Sequence, residues 1–201
     1  MERDRLTAFT DGVLAVIITI MVLELKPPHG AGFRDLLALW PGYLSYLLSF
    51  IYVAIYWNNH HHFFQLVKTV DGSVLWANMH LLFWLSIVPF ATAWMGDNLF
   101  AAAPTALYGA ALLMSSIAFF LMQTVIMRRQ GEASPLRQAL GSDLKGKLSP
   151  FVYLAGIGLA FVNPAVSYLL YLGVALAWLI PDRRVEHAVV QAENAERRRR
   201  P

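Results

Sequence analysis

The stretch that decides the fold is RLTAFTDGVLAVIITIMVLEL, residues 5–25, which is apolar from Leu6 to Leu25 with an interruption at Asp11 near its start. A run of about 20 apolar residues is long enough to cross the hydrocarbon core of a bilayer as an α-helix. The stretch lacks the small-residue cleavage site of a signal peptide, so we expect a retained transmembrane helix.

The composition of the chain points to the same class of protein. Of the 201 residues, 57% are hydrophobic and 14% are charged, whereas soluble domains carry about a quarter charged residues. There is no Cys, which excludes disulfides, thiolate metal sites and a Cys nucleophile. We therefore expect an all-α integral membrane protein whose single membrane domain covers residues 1–182.

Helix-breaking residues divide this domain into spans. The prolines of KPPHG end the first span, and Pro104 suits the first turn of the fourth. The apolar run from Phe151 to Ile180 is too long for one crossing, and its break is predicted at Asn163–Pro164, because a residue before proline is disfavoured in the helical region. The six predicted spans are residues 6–25, 36–64, 74–95, 104–127, 148–162 and 165–181.

The basic residues test this count, because cytoplasmic loops carry the excess of Lys and Arg. With six spans, all of the 16 Lys and Arg except Lys26 and Arg34 fall on one side, including Lys68, Arg137 and the basic tail at 183–201. Five spans would place the terminal arginines outside. We therefore expect a multi-pass protein of the cell (plasma) membrane with both termini in the cytoplasm.

Polar residues within the spans are costly in a bilayer and are therefore functional candidates. These residues lie near the predicted cytoplasmic ends of the first three spans and are Asp11, His60, His61, His62, Asn78 and His80. Arg5, Trp57 and Trp76 are candidate hydrogen-bond donors to the Asp11 carboxylate. The simpler interpretation is a structural network that holds three helices together, and a proton or ion site is the alternative.

Neither a metal site nor an enzyme is predicted. Consecutive helical residues differ by about 100°, so three adjacent histidines cannot all face one metal ion. No Ser–His–Asp arrangement, Gly-rich phosphate loop or HExxH pattern occurs in the sequence. We expect no cofactor.

One face of the first span is separate from Asp11. With Val16 at zero and about 100° per residue, Thr19, Ile20 and Leu23 fall within about 60° of Val16, while Asp11 lies about 140° away. Apolar stripes of this kind face lipid or protein in most helices. The periodicity alone therefore does not indicate a pore.

The residues Arg5, Phe9, Thr10 and Asp11 carry a resemblance. They are similar to the Arg-x-x-x-Phe-Ser-Asp motif in the first helix of the endosomal and lysosomal potassium channel family, with Thr10 where that family usually has serine. The segments YWNNHHHFF and LWANMHLLFWLSIVPF resemble its second and third helices. The chain looks like a prokaryotic single-repeat member.

The resemblance implies a homotetramer of six-helix subunits in which the first helix lines a central pore, without a re-entrant pore loop. The sequence has no TVGYG-like segment. The apolar rings that form the constriction in the family correspond to Val16, Ile20 and Leu23, and a hydroxyl ring corresponds to Thr19. A potassium-selective channel is implied, with the apolar rings as gate and permeant K+ near Thr19.

The same resemblance gives the motif a structural role. Arg5, Phe9, Thr10 and Asp11 would pin the pore helix to the next two helices. The expected partners in this network are His61, Trp76, Asn78 and His80. Arg5 falls near the pore face of the helix and could instead lie at the cytoplasmic mouth.

Two other functions stay open. A proton-coupled secondary transporter would use Asp11 and histidines, but transporters usually have broken helices with polar groups at mid-membrane, and the middle of the first span is apolar. A membrane scaffold or sensor would act through the basic tail and would tolerate mutation of Thr19.

Overall fold

The computed structural model describes residues 3–67, 69–131 and 144–179. Within these ranges the chain forms seven α-helices and no strand, which confirms the all-α class for this part of the protein. The predicted tail at 183–201, Lys68 and Arg137 lie outside the described residues. The helices are α1 (Arg3–Leu23), α2 (Phe33–Ala38), α3 (Trp40–Gln65), α4 (Gly72–Asp97), α5 (Ala102–Gln130), α6 (Leu144–Leu159) and α7 (Pro164–Leu179).

The first helix, α1, is buried on one side. Leu6, Thr10, Leu14, Ile17 and Met21 are buried and recur every three or four residues, the spacing of a single helical face. This face packs against α3 and α4. α1 therefore lies at the edge of the bundle, and its opposite side is exposed.

The predicted span at 36–64 is two helices instead of one. α2 ends at Ala38, Leu39 has φ −86° and ψ 9°, and α3 begins at Trp40 with Pro41 in its first turn. Proline has no N–H to bond to a preceding turn, so the helix restarts there. The prediction failed at this point because it extended the apolar pattern through Pro41.

The fourth helix, α4, is capped by Asp71. One carboxylate oxygen of Asp71 accepts hydrogen bonds from the Ser73 and Val74 backbone N–H groups at 3.0 and 3.1 Å, and the other lies 3.1 Å from Arg129 Nε at the end of α5. The Ser73 hydroxyl, followed by the Val74 N–H, holds the pKa of the Asp71 carboxyl below its ordinary value. The cap thus joins the start of α4 to the end of α5.

The turn between α4 and α5 is tight. Leu99 and Phe100 both adopt the left-handed region, with φ of 51° and 56°, which is uncommon for residues other than glycine. The Phe100 ring lies between Trp40 and Tyr168, with centroid distances of 5.7 and 5.0 Å. These aromatic contacts hold the turn against α3 and α7.

The last two helices form a hairpin whose break falls at Asn163–Pro164, where the sequence placed it. Asn163 Oδ1 accepts a hydrogen bond from the Ala165 N–H at 3.1 Å and caps α7. α6 and α7 are shifted relative to the predicted spans at 148–162 and 165–181, and residue 181 lies outside the described residues. Tyr171 packs against Gly109 of α5 and Gly156 of α6, where a β-carbon would overlap its ring or hydroxyl.

Three of the described helices, α1, α4 and α5, are long and apolar enough to cross a membrane. α7 is apolar but has 16 residues. α3 has 26 residues, and its C-terminal part carries two asparagines and three histidines. These helices agree with a membrane protein.

Candidate functional site

The exposed side of α1 holds the four residues that the sequence grouped on one face. Val16, Ile20 and Leu23 are 54%, 41% and 80% exposed, and Thr19 is exposed with them. Exposed apolar side chains grouped on one face of a helix mark a surface of contact or function. We call Val16, Thr19, Ile20 and Leu23 the outer face of α1.

A groove of about 790 Å³ runs along this side, between α1 and α4. Its walls are largely apolar, with Glu24 just beyond the end of α1. The lining residues include Phe9, Gly12, Val16 and Ile20 from α1 and Ser86, Pro89, Phe90 and Ala93 from α4. Part of the outer face is therefore a concave, mainly apolar surface.

The hydroxyl of Thr19 is held against its own helix. Thr19 Oγ1 donates a hydrogen bond to the Val16 carbonyl oxygen at 2.8 Å. The donor is thereby used, while the hydroxyl oxygen keeps lone pairs that can accept from water or coordinate a cation. Thr19 thus presents an oxygen acceptor on an otherwise apolar face.

The opposite side of α1 is anchored by a buried chain of hydrogen bonds. Asn78 Nδ2 of α4 donates to Thr10 Oγ1 at 2.9 Å, and Asn78 Oδ1 lies 3.0 Å from His60 Nε2 of α3. All three side chains are at most 2% exposed. Because Asn78 Oδ1 is an acceptor, His60 Nε2 must be the donor. The chain joins α1, α4 and α3, and the His60 ring stacks on Phe64 at 4.3 Å.

A separate, exposed contact involves Asp11. Trp57 Nε1 of α3 donates to Asp11 Oδ1 at 2.9 Å. The Trp57 ring stacks on His61 at 5.8 Å, and His61 Nε2 lies 3.1 Å from the Gln65 amide nitrogen. Asp11 therefore fastens α1 to α3 through an indole, and His61 supports that indole.

The histidine of the buried chain differs from the expected one. The sequence proposed His61 or His80, but His61 lies on the exposed side of α3, and His80 Nε2 accepts from Trp84 Nε1 at 3.0 Å within α4. His60 takes the position because it follows the buried Tyr56 by four residues and precedes Phe64 by four, which places all three on one helical face. That spacing was readable in the sequence.

Two other predicted members of the network do not join it. Trp76 is 78% exposed on α4, and Phe9 is 52% exposed on the groove side of α1. Arg5, at the start of α1, is exposed. Of the predicted set, only Thr10 and Asn78 meet in the buried chain, and Asp11 makes its contact elsewhere.

Metal-ligating residues do not gather in the described part of the chain. No group of three or more His, Cys, Asp or Glu side chains among residues 3–67, 69–131 and 144–179 lies close enough to hold an ion. The polar groups near the outer face are instead isolated oxygens, those of Thr19, Ser86 and Glu24.

Comparison with known proteins places these features in a family. Residues 5–89 match the sequence model of the family described as endosomal/lysosomal potassium channel TMEM175. A potassium channel from Chryseobacterium sp. is 53% identical over 94% of this chain and 98% of its own length. A potassium channel from Chamaesiphon minutus is 30% identical over 83% of this chain and 88% of its own length.

A solved structure extends the comparison to the fold. The crystal structure of a lysosomal potassium-selective channel TMEM175 homologue from Chamaesiphon minutus superposes with a TM-score of 0.78 at 29% identity. The superposition covers 90% of this chain and 98% of that one. The matched residues 5–89 include α1, α2, α3 and most of α4, which contain the outer face and its anchor. The resemblance noted from the first helix is confirmed.

Proposed function

This chain belongs to the endosomal/lysosomal potassium channel TMEM175 family, and on that basis we propose that it is a potassium-selective channel whose pore is lined by α1. The single observation that carries the proposal is the division of α1 into two sides. One side is packed and hydrogen-bonded within the subunit, and the other presents Val16, Thr19, Ile20 and Leu23 outward.

A pore along the outer face requires several copies of the chain around one axis. We propose a homotetramer, in which each residue of the outer face becomes a ring of four. The α4 side of the groove supports this assembly, because Pro89, Phe90 and Ala93 offer each subunit an apolar surface against which a neighbouring copy can pack.

The apolar residues of the outer face form the proposed gate. Rings of Val16, Ile20 and Leu23 would make a narrow, poorly wetted passage that closes to ions when water leaves it. Conduction then requires the rings to separate enough for a hydrated or partly dehydrated cation. Exposed aliphatic side chains spaced three or four residues apart are the feature that supports this mechanism.

The proposed selectivity residue is Thr19. Its hydroxyl is fixed by the bond to the Val16 carbonyl, so its oxygen has a defined position on the helix. A ring of such oxygens would replace part of the water lost by a permeating K+. Sodium holds its hydration shell more strongly, so neutral hydroxyl oxygens favour potassium.

The buried chain of Thr10, Asn78 and His60 has a positioning role in this account. It fixes the rotation of α1 about its own axis, because Thr10 must face α4 for the Asn78 amide to be satisfied. With that rotation set, Val16 and Ile20 point away from the subunit core. Asp11 adds a second attachment through Trp57.

The topology proposed for the channel has six crossings, made by α1 and α3 to α7, with α2 as a short segment before α3. The alternation of helix direction would place the described basic residues at opposite ends of the bundle in unequal numbers, as expected from the positive-inside rule. One end holds Arg3, Arg5, Arg128, Arg129, Lys145 and Lys147, and the other holds Lys26 and Arg34. Both termini are then cytoplasmic, in a plasma membrane.

A flux assay with lipid vesicles tests the function and separates it from proton-coupled transport. Vesicles that contain the purified protein are loaded with K+, diluted into Na+, and followed with a pH-sensitive dye. A potassium channel produces an electrical potential, so protons enter only when a proton ionophore is added. A proton-coupled transporter moves protons without the ionophore, and that result, or the same flux from Na+-loaded vesicles, would contradict the proposal.

A further inference from the structure

A second cavity lies away from α1, between α3, α5, α6 and α7. Its volume is about 50 Å³, which limits it to a small ligand. Its walls are mainly aromatic and apolar, which suits a compact apolar ligand. The apolar lining consists of Tyr52, Ile55, Tyr56, Phe119, Phe120, Tyr153 and Trp178.

Several polar groups in the wall are already engaged. Trp178 Nε1 donates to Ser149 Oγ at 2.9 Å, Asn59 Nδ2 donates to the Ile55 carbonyl at 2.8 Å, and Ser116 Oγ donates to the Leu113 carbonyl at 2.8 Å. These groups stabilise the helices around the cavity. The donors of Trp178 and Ser116 are thereby used, and one of the two Asn59 amide N–H groups is used as well.

Gln123 and Tyr56 are different. Each lines the cavity and is 8% exposed, and neither side chain makes a hydrogen bond to any other residue in the described ranges. The Tyr56 ring of α3 packs edge-on against Phe119 of α5 at 6.0 Å, and Gln123 follows Phe119 by one helical turn. The amide of Gln123 and the hydroxyl of Tyr56 therefore line the same cavity without partners among the described residues, and a bound molecule can form hydrogen bonds with them.

We propose that this cavity binds a small neutral alcohol or phenol. The ligand hydroxyl accepts a hydrogen bond from the Tyr56 hydroxyl and donates one to the Gln123 carbonyl oxygen. Its apolar body packs among the aromatic walls. A hydroxyl fits because it is both donor and acceptor, as are the two groups that it meets.

The residues that line the cavity indicate that the ligand is uncharged. None of the described residues that line the cavity is Asp, Glu, Lys, Arg or His. A carboxylate or an ammonium group would be desolvated there without a counter-charge. A lipid acyl chain would fill the apolar part but leave Gln123 and Tyr56 unpaired. A neutral hydroxyl compound satisfies both requirements, and this site does not depend on the proposed pore.

Photolabelling tests the site in the intact protein. The full chain in lipid vesicles is irradiated with a diazirine-bearing octanol, and the labelled peptides are identified by mass spectrometry. We expect adducts on cavity residues such as Phe119 and Trp178 that excess 1-octanol competes away. The variants Gln123→Leu and Tyr56→Phe each remove one hydrogen bond and should weaken competition about five-fold.

Thr124→Val is the matched control. Thr124 is next to Gln123 on α5, but its hydroxyl bonds to the Phe120 carbonyl at 2.9 Å and it is not part of the lining. Labelling of cavity residues should be unchanged in this variant. If 1-octanol does not reduce labelling, or reduces it equally in all three variants, the probe labels the protein from the lipid phase. Either result would overturn the proposal. Tyr56→Phe is nearly isosteric, so the test stands even if Gln123→Leu fails to fold.

Discussion

The amide nitrogen of Asn78 donates a hydrogen bond to the hydroxyl of Thr10 across 2.9 Å, and both side chains are at most 2% exposed. Thr10 is the polar member of a buried helical face that is otherwise Leu6, Leu14, Ile17 and Met21. Apolar packing alone would tolerate a rotated helix, whereas this bond requires one orientation of α1. The orientation determines which residues of α1 face outward.

The first prediction concerns this bond. Thr10→Val keeps the shape of the side chain but removes the acceptor, so the buried Asn78 N–H loses its partner. We expect a loss of about 1–2 kcal/mol in unfolding free energy, measured from denaturation midpoints of the purified protein. Thr10→Ser retains the hydroxyl and should lose less. Equal losses in the two variants would mean that the hydroxyl contributes nothing.

The second prediction concerns the packing of Tyr171 against α5. A methyl group at Gly109 would overlap the Tyr171 hydroxyl, so Gly109→Ala should cost about 1–3 kcal/mol through overpacking. A methyl group at Gly158 of α6 would meet no neighbouring atom, so Gly158→Ala should be neutral or stabilise by about 0.5–1 kcal/mol. Thermal unfolding of the two variants measures both effects. A Gly109→Ala variant as stable as the wild type would contradict the packing of Tyr171 against Gly109.

The third prediction concerns pH and the cap of α4. The pKa of the Asp71 carboxyl is lowered mainly by the Ser73 hydroxyl, then by the Val74 N–H and Arg129. A carboxyl with a lowered folded-state pKa stabilises the fold above its ordinary pKa and loses that contribution as the pH falls through the lowered value.

The measurement for this cap is the difference in unfolding midpoint between the wild type and Asp71→Ala over a pH series. The difference should be constant near neutrality and shrink below about pH 4. Asp71→Asn, which keeps an oxygen acceptor but no charge, should lie between them at neutral pH. A difference that grows on acidification would show that the carboxylate is not the source of the stability.

The fourth prediction concerns selectivity. Thr19→Ala removes the hydroxyl oxygen from the outer face, and the proposed channel should then lose about three- to five-fold in its preference for K+ over Na+. Thr19→Ser keeps the oxygen and should retain most of the preference. Reversal potentials under a K+/Na+ gradient measure both variants. An unchanged preference in Thr19→Ala would assign selectivity to another residue.

Much of this architecture follows from local sequence signals. The extent of α1 follows from its apolar run and the prolines after it, and the break at Asn163–Pro164 follows from the restriction that proline places on the residue before it. The family follows from the motif at Arg5, Phe9, Thr10 and Asp11. These signals are local, because each depends on residues within one helix or one turn.

The rest depends on how helices pack against each other. The choice of His60 over His61 is set by which side of α3 faces α4, and that contact joins two separate helices. Any nearby hydrogen-bond donor could pair with Asp11 as far as the sequence is concerned. The packing of α1 against α3 selects Trp57. The separate α2 was missed because its apolar residues continue the pattern of α3.

The most direct test of the account compares Ile20→Asn with Val22→Asn in planar-bilayer recordings of assembled protein. Both are exposed aliphatic residues of α1, at 41% and 46%, but Val22 lies about 120° from Val16 and off the outer face. If α1 lines the pore, the wild type shows a reversal potential that favours K+. Ile20→Asn then carries larger currents because the apolar ring becomes wetted, and the currents of Val22→Asn are unchanged. No current in either the wild type or Ile20→Asn, or an equal increase in Val22→Asn, would contradict α1 as the pore helix.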